Sequence, residues 1–277
     1  MSDHDFVFVG GLHRSGTTLL ARAIAKHEQV SGFRKTEALA NEGQFLQSVY
    51  PIAREFGGTG RFGFDERSHM TEDSPLATEA NRERLLREWG EYWNLDKRVL
   101  VEKSPPNVLK LRFLQALFPE ASFVVIMRHP IAVSFATQKW SKTSLESLLE
   151  HWLVCHEIFL EDAPHIRRLM LVRYEDFVAD PAGLIGRIQQ ALGLAPSGPA
   201  FKARTGINDS YFARWNARLR PWRRRGRREL ASRFEERANP FGYSLIEPER
   251  DREPAPEVSD LLGRPGAEAG ARRRIAT

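Results

Sequence analysis

The stretch FVFVGGLHRSGTTLLA, residues 6–21, decides how the chain is read. Residues 6–9 are apolar and β-prone, the pattern of a short buried strand. Gly10 and Gly11 end it. Thr17 or Thr18 then opens an amphipathic helix, TLLARAIAKHEQV (18–30), with Leu19, Leu20, Ala23, Ile24 and Ala25 on its apolar side. The first N–H groups of a helix have no partner within it, and the helix dipole is positive there, so this junction suits an anion. Gly11 and Gly16 let an anion approach the backbone. Ser15, Thr17 and Thr18 offer hydroxyls, and Arg14 adds a fixed charge able to bridge two oxygens. A Walker A loop reads G-x-x-x-x-G-K-[ST]. From Gly11 this chain reads G-L-H-R-S-G-T-T, so Thr17 stands where the lysine belongs and the charge lies ahead of Gly16.

Outward from this unit, strands alternate with helices. RVLVEK (98–103), SFVVIM (122–127) and RLMLVRY (168–174) read as further strands. The segment from Glu42 to Tyr50 reads as helix, ended by Pro51. Residues 78–93 form a charged helix, and Asn107 caps VLKLRFLQALF, which Pro119 stops. Another helix follows RHP (128–130). Thr143 and Glu146 fit a capping box before SLLEHWLVCHEIFLE, and Asp180-Pro181 starts a helix. The alternation predicts an α/β fold, a central parallel sheet flanked by helices on both faces. Residues 57–75 are Gly-rich and polar; with the helix after them (57–97) they are expected to form a lid and acceptor-binding insertion in a single domain spanning 1–246. Residues 247–277, rich in Pro, Gly, Arg and Glu, read as a disordered tail.

Composition narrows the function classes. Of 277 residues, 42% are hydrophobic and 28% charged, ordinary for a globular protein. No run of 18 or more apolar residues reads as a membrane span, and the N-terminus lacks the pattern of a secretory signal. The single cysteine, Cys155, forms no internal disulfide and points to a cytoplasmic setting. Residues 214–237 hold ten Arg and three Glu, +7 of a total of +5, so the basic excess is local. Its aromatic content, Trp215 and Trp222, is too sparse to point to nucleic acid. The histidines show no metal-ligand spacing, and no metal is expected. Trp140 and Trp152 read as core.

GGLHRSGTTLL resembles the 5′-phosphosulfate loop of sulfotransferases that use 3′-phosphoadenosine 5′-phosphosulfate (PAPS), in which an [RK]-[SAT]-G-[TN]-[TS] loop replaces Walker A. FVVIMRHPIAVSFA resembles the family's strand ending in an arginine that holds the 3′-phosphate, here Arg128. VEKSPPN is similar to the E-K-[ST]-P strand end of the carbohydrate and tyrosine sulfotransferases, and LVRYEDFVADP (171–181) is frequent in the same fold. The resemblance spans roughly residues 6–193. It implies a P-loop NTPase-like sulfotransferase fold, PAPS as donor with adenosine 3′,5′-bisphosphate released, and a small-molecule or glycan hydroxyl as acceptor.

The same resemblance assigns roles. Arg14, Ser15, Gly16, Thr17 and Thr18 would bind the 5′-phosphate, and Lys103 would sit near the bridging oxygen or sulfonate. Small-molecule sulfotransferases carry a His two residues after the strand lysine, where this chain has Pro105. The glycan-type branch uses a Glu in a pattern like N-E-x-x-F-F, and ANEGQFLQ places Glu42 there, with Glu37 in reserve. A Ser usually follows the strand-end Arg by eight residues; that position is Ala136 here, with Ser134 and Thr137 nearby, which leaves the hydroxyl contact to the 3′-phosphate open and Ser134 as the candidate carried forward. The Arg-rich stretch 218–228 occupies the region where relatives use a basic C-terminal loop. Two other classes fit the loop alone: a P-loop kinase-like phosphotransferase with a degenerate Walker A, and a non-catalytic nucleotide-binding homologue.

Overall fold

A computed structural model describes residues 4–197, 204–217 and 224–262. Of the Arg-rich stretch, 218–223 lies outside the described residues, as does 263–277 of the expected tail. In chain order the elements are β1 (Asp5–Gly11), α1 (Thr17–Ile24), β2 (Val30–Gly32), α2 (Glu79–Gly90), β3 (Val99–Lys103), α3 (Leu111–Leu117), β4 (Ser122–Met127), α4 (Pro130–Ser141), α5 (Leu145–Asp162), β5 (Leu169–Arg173), α6 (Tyr174–Ala179), α7 (Pro181–Ala191), α8 (Ile207–Ala217), α9 (Arg224–Ala238) and α10 (Pro256–Ser259).

The five strands form one sheet in the order β2-β3-β1-β4-β5, and every neighbouring pair is parallel. The strand period of two divides the core. Val7, Val9, Val99, Val101, Val124 and Ile126 meet α1 and α7 on one face. Phe6, Phe8, Leu100, Phe123 and Val125 meet the aromatic cluster of α2, α3 and α5 on the other. Burial of each such side chain contributes roughly 1.5–3 kcal/mol, so the two faces hold the sheet from both sides. After β1 the chain runs to one side of it (β2, β3) and then to the other (β4, β5). The carboxyl end of β1 is therefore the point where strand order reverses, the place where an open α/β sheet leaves a crevice. Register sets Val9 beside Lys103 and Gly11 beside Ile126, so the loop after β1 lies between Lys103 and the Arg128 corner.

Several local expectations give way to tertiary contacts. Residues 42–50 are not a helix: they hold one short 3₁₀ turn at Gly43–Phe45, preceded by another at Leu39–Asn41 with Ala40 and Asn41 at positive φ. The N–H groups of Gly43 and Gln44 bond to the Glu102 and Ser104 side chains instead of to a helix ladder. The first helix stops at Ile24, and Val30–Gly32 forms an edge strand with no apolar run to announce it. Asn107 does not cap α3; its amide donates to the Val9 carbonyl and to Glu102, and α3 starts later, at Leu111. The N-cap of α5 is Ser144, whose Oγ accepts from Ser147 N at 3.1 Å; the Thr143 hydroxyl donates to the Ser141 carbonyl.

Trp152 is in the core, but Trp140, near the end of α4, is 71% exposed. Residues 247–262 are docked rather than a free tail: Val258 is buried, Leu262 bridges to Leu171 beside β5, and Asp251 pairs with Arg173 at 2.7 Å. A few apolar anchors suffice where a sheet edge and a buried arginine receive them. Among the described residues, no helix is long and apolar enough to cross a membrane.

Candidate functional site

The loop 12–16 turns tightly. Ser15 Oγ donates to the Leu12 carbonyl at 2.6 Å and Ser15 N to the same oxygen at 3.1 Å. Ser15 is fully buried, so its hydroxyl shapes the loop from inside. Gly16 has φ 105°, and a Cβ there would lie 2.8 Å from the Tyr174 ring, so only glycine fits. No side chain caps α1, which leaves its first N–H groups directed out of the helix end at Thr17 and Thr18. Arg14 is exposed, with its guanidinium 5.8 Å from the Trp140 ring centre.

Lys103 ends β3 and is 4% exposed. Its Nζ donates to Glu42 Oε1 at 3.2 Å, and Gln44 Nε2 donates to Glu42 Oε2 at 2.6 Å. Burial lowers the Lys103 pKa, while Glu42 acts in the opposite sense. Glu42 and Lys103 are thus brought together, whereas Glu37 is exposed on the connector. The pairing depends on a residue not singled out in the sequence. Glu102, facing away from Lys103 on the same strand, accepts from Gly43 N at 3.1 Å and Ser104 Oγ at 2.6 Å, and also from Asn107. Ser104 Oγ accepts from Gln44 N at 2.9 Å. Glu102 and Ser104 therefore staple residues 43–44 to β3 and hold Glu42 over Lys103. Strand alternation is the signal that places Glu102 behind Lys103.

Burial pushes the Glu102 carboxyl up from 4.5 to about 7, against the pull of the Ser104 and Asn107 hydrogen bonds. Its folded pKa is raised, so its stabilising contribution is full below about pH 4.5 and is lost as pH rises through about 7. Urea unfolding is expected to show stability falling across that window in the wild type, with a flatter profile in Glu102→Gln. An unchanged slope in the variant would remove Glu102 as its source.

Arg128 follows β4 and is 6% exposed. Its Nε and Nη2 both donate to Asn208 Oδ1, at 2.9 and 2.7 Å, and Nη1 donates to the Arg14 carbonyl at 3.0 Å. The guanidinium lies 4.2 Å from the Tyr174 ring centre and 5.7 Å from that of Tyr211. Asn208 in turn donates to Glu175 Oε1 at 2.7 Å, and Tyr243 donates to Glu175 Oε2 at 2.9 Å. Tyr174 and Glu175 lie in RYED; Asn208 and Tyr211 lie on α8 without a motif, so nothing in their local sequence marks them. His129 accepts from Ile131 N at 3.2 Å and caps α4.

Among the described residues, the Ser134 hydroxyl makes no hydrogen bond to this cluster. The residue is 2% exposed and opens into a small internal hollow lined by His13, Gly60, Thr137 and His151. A cavity of about 60 Å³ lies beside the loop, against Thr18, Arg22, Asn41 and Lys103. A larger hollow of about 360 Å³ is at the opposite, amino-terminal end of the strands, against Asp5, Arg98 and Arg168, and contains none of the residues above. Among the described residues no group of three or more His, Cys, Asp or Glu side chains is placed to hold a metal ion.

The model of the sulfotransferase family matches residues 6–197, a span that takes in the β1 loop, Glu42, Lys103 and Arg128. The chain belongs to the sulfotransferase family. This sulfotransferase-family chain is 25% identical over 221 residues to nodulation protein NoeE of Sinorhizobium fredii (strain NBRC 101917 / NGR234), covering 70% of the chain and 51% of NoeE, so it spans about half the length of that curated relative. Similar solved structures include STF9 from Mycobacterium avium (TM-score 0.48, 13% identity, 78% of this chain and 69% of that one). A sulfotransferase from Alicyclobacillus acidocaldarius gives TM-score 0.44, 14% identity, 77% and 92%.

Proposed function

We propose that the chain transfers the sulfuryl group of PAPS to a hydroxyl acceptor, with Glu42 as general base. The observation that supports this most is the Glu42–Lys103 pair: a carboxylate and an ammonium, 61 residues apart in sequence and 3.2 Å apart in space, beside an uncapped helix N-terminus bearing Arg14. The residues fit the donor at its 5′ end, where the Gly16 cradle excludes a side chain and the N–H groups of α1 are free of a cap. At the 3′ end the fit requires Asn208 to release the Arg128 guanidinium. Arg14, Gly16, Thr17 and Thr18 would hold the 5′-phosphate, Ser15 would serve it by shaping the loop through its two bonds to the Leu12 carbonyl, and Arg128 would hold the 3′-phosphate. Bound there, the donor supplies the sulfuryl group, whose bond to the phosphate oxygen breaks as the bond to the acceptor oxygen forms.

Glu42 takes the acceptor hydroxyl proton and later gives it to solvent. Lys103 neutralises the electron pair that arrives on the phosphate oxygen, and Arg14 and the α1 N–H groups stabilise the same charge. This chemistry needs no magnesium-bound triphosphate, in keeping with Thr17 at the position of the Walker lysine. A cytoplasmic setting and a small-molecule or glycan acceptor belong to the same reading. Calorimetry with adenosine 3′,5′-bisphosphate is expected to show binding to the wild type and a loss of about 10-fold or more in Arg128→Ala, since a charge-assisted hydrogen bond contributes roughly 1.5–3 kcal/mol. No binding to the wild type, or tighter binding of magnesium ATP, would overturn the reading in favour of a kinase-like enzyme.

A further inference from the structure

His13, one residue ahead of Arg14, is turned into the protein. Its ring packs edge-on against Phe62 with centroids 5.8 Å apart, and Nδ1 is sealed from solvent without a hydrogen-bond partner. It lines a hollow of about 10 Å³ together with Gly60, Val133, Ser134, Thr137 and Leu148. Ser134 and Thr137 are 2% and 3% exposed, and their hydroxyls also lack partners. Three orphaned polar atoms around one hollow are a costly arrangement, because each buried unsatisfied group costs roughly 1–3 kcal/mol. A volume near one water, bordered by two to four polar groups, is where a buried water is held.

The charges that act on the ring are Glu42, Lys103 and Arg14, with His151 across the hollow. Burial brings the imidazole down from 6.5 to about 4, so it is neutral at ordinary pH. A neutral imidazole that donates from Nδ1 has its other nitrogen left as an acceptor.

We propose that a buried water shared by His13 Nδ1, Ser134 and Thr137 fixes the His13 tautomer, and that His13 Nε2 accepts a hydrogen bond from the acceptor hydroxyl and positions it for Glu42. The water site stands on the geometry alone; the positioning role rests on the proposed function. Ser134 is here given work in the acceptor half of the site. His13 holds the hydroxyl, and the proton itself passes to Glu42.

Imidazole ¹⁵N NMR of the wild type is expected to show His13 as the Nδ1–H tautomer, neutral at pH 7, and Ser134→Ala/Thr137→Val to lose that uniform tautomer. A wild-type Nε2–H tautomer would overturn the proposal. His13→Gln places an amide where Nε2 stands, and His13→Asn places one where Nδ1 stands. With labelled PAPS and a panel of sugar and phenol hydroxyls, His13→Asn is expected to lose about tenfold or more in kcat/KM for the acceptor, as loss of a positioning hydrogen bond does. His13→Gln keeps most of it, and both variants bind adenosine 3′,5′-bisphosphate like the wild type. An active wild type matched by His13→Asn, or a loss of bisphosphate binding equal to the loss of rate, would remove the positioning role alone. A wild type that transfers to no hydroxyl would sink the proposed function and the role with it, while the tautomer would still report on the water site.

Discussion

Glu42→Gln is expected to lower turnover by roughly 10²–10⁴-fold, the range that a positioned general base supplies. The fold should survive the change. The amide of that variant still presents an oxygen to Lys103 Nζ, so the buried ammonium keeps a hydrogen-bond partner, and only the bond donated by the Gln44 amide is given up. What is lost is a group able to take a proton. Removing Glu42 altogether would be a harsher experiment, because breaking a buried ion pair costs about 3–5 kcal/mol and would mix catalysis with folding. Steady-state kinetics and bisphosphate calorimetry on Glu42→Gln separate the two: turnover falls and donor-product affinity holds. A fully active Glu42→Gln would move the base elsewhere, with Glu37 next in line.

Gly43→Ala is expected to disable the same base without touching it. A Cβ on Gly43 would lie 2.4 Å from Glu102 Oε1 and 2.6 Å from its Cγ. That carboxyl is not free to swing aside, since Ser104 and Asn107 both hold it. Residues 42–44 must therefore lift off β3. Overpacking of this kind costs roughly 1–3 kcal/mol, and the loss of the Gly43 N–H bond to a buried carboxyl adds to it. Thermal unfolding should shift down by several degrees, and turnover should drop by about tenfold or more as Glu42 leaves its place, while bisphosphate binding stays near wild type. Wild-type activity in a stable Gly43→Ala protein would show that the staple does not set Glu42.

The frame of the site was legible and its attachments were not. The apolar runs before Lys103 and Arg128 placed both at the carboxyl ends of buried strands, and GGLHRSGTTLL announced the strand, loop and helix between them. Those signals are local, set by side-chain period and glycine. Residues 42–50 were misread because their helical look is also local, whereas their conformation is imposed by Glu102 and Ser104 across about sixty positions. Asn208 meets Arg128 across 80 positions, and an asparagine on a polar helix face carries no mark of that contact. β2 has three residues, too few for a period to register.

Arg128 has one more property that follows from its bonds. Every one of its three donor nitrogens is engaged by the protein: two by a single amide oxygen on α8 and one by the loop carbonyl of Arg14. On the proposed function, a phosphate at this guanidinium would have to exchange with an internal rival rather than fill a void. Donor affinity, on the proposed function, would be a difference between two partnerships of one arginine. Asn208 also shares Glu175 with Tyr243 and the His129 backbone, so one carboxylate joins the partner of Arg128 to residues from three separate stretches of the chain.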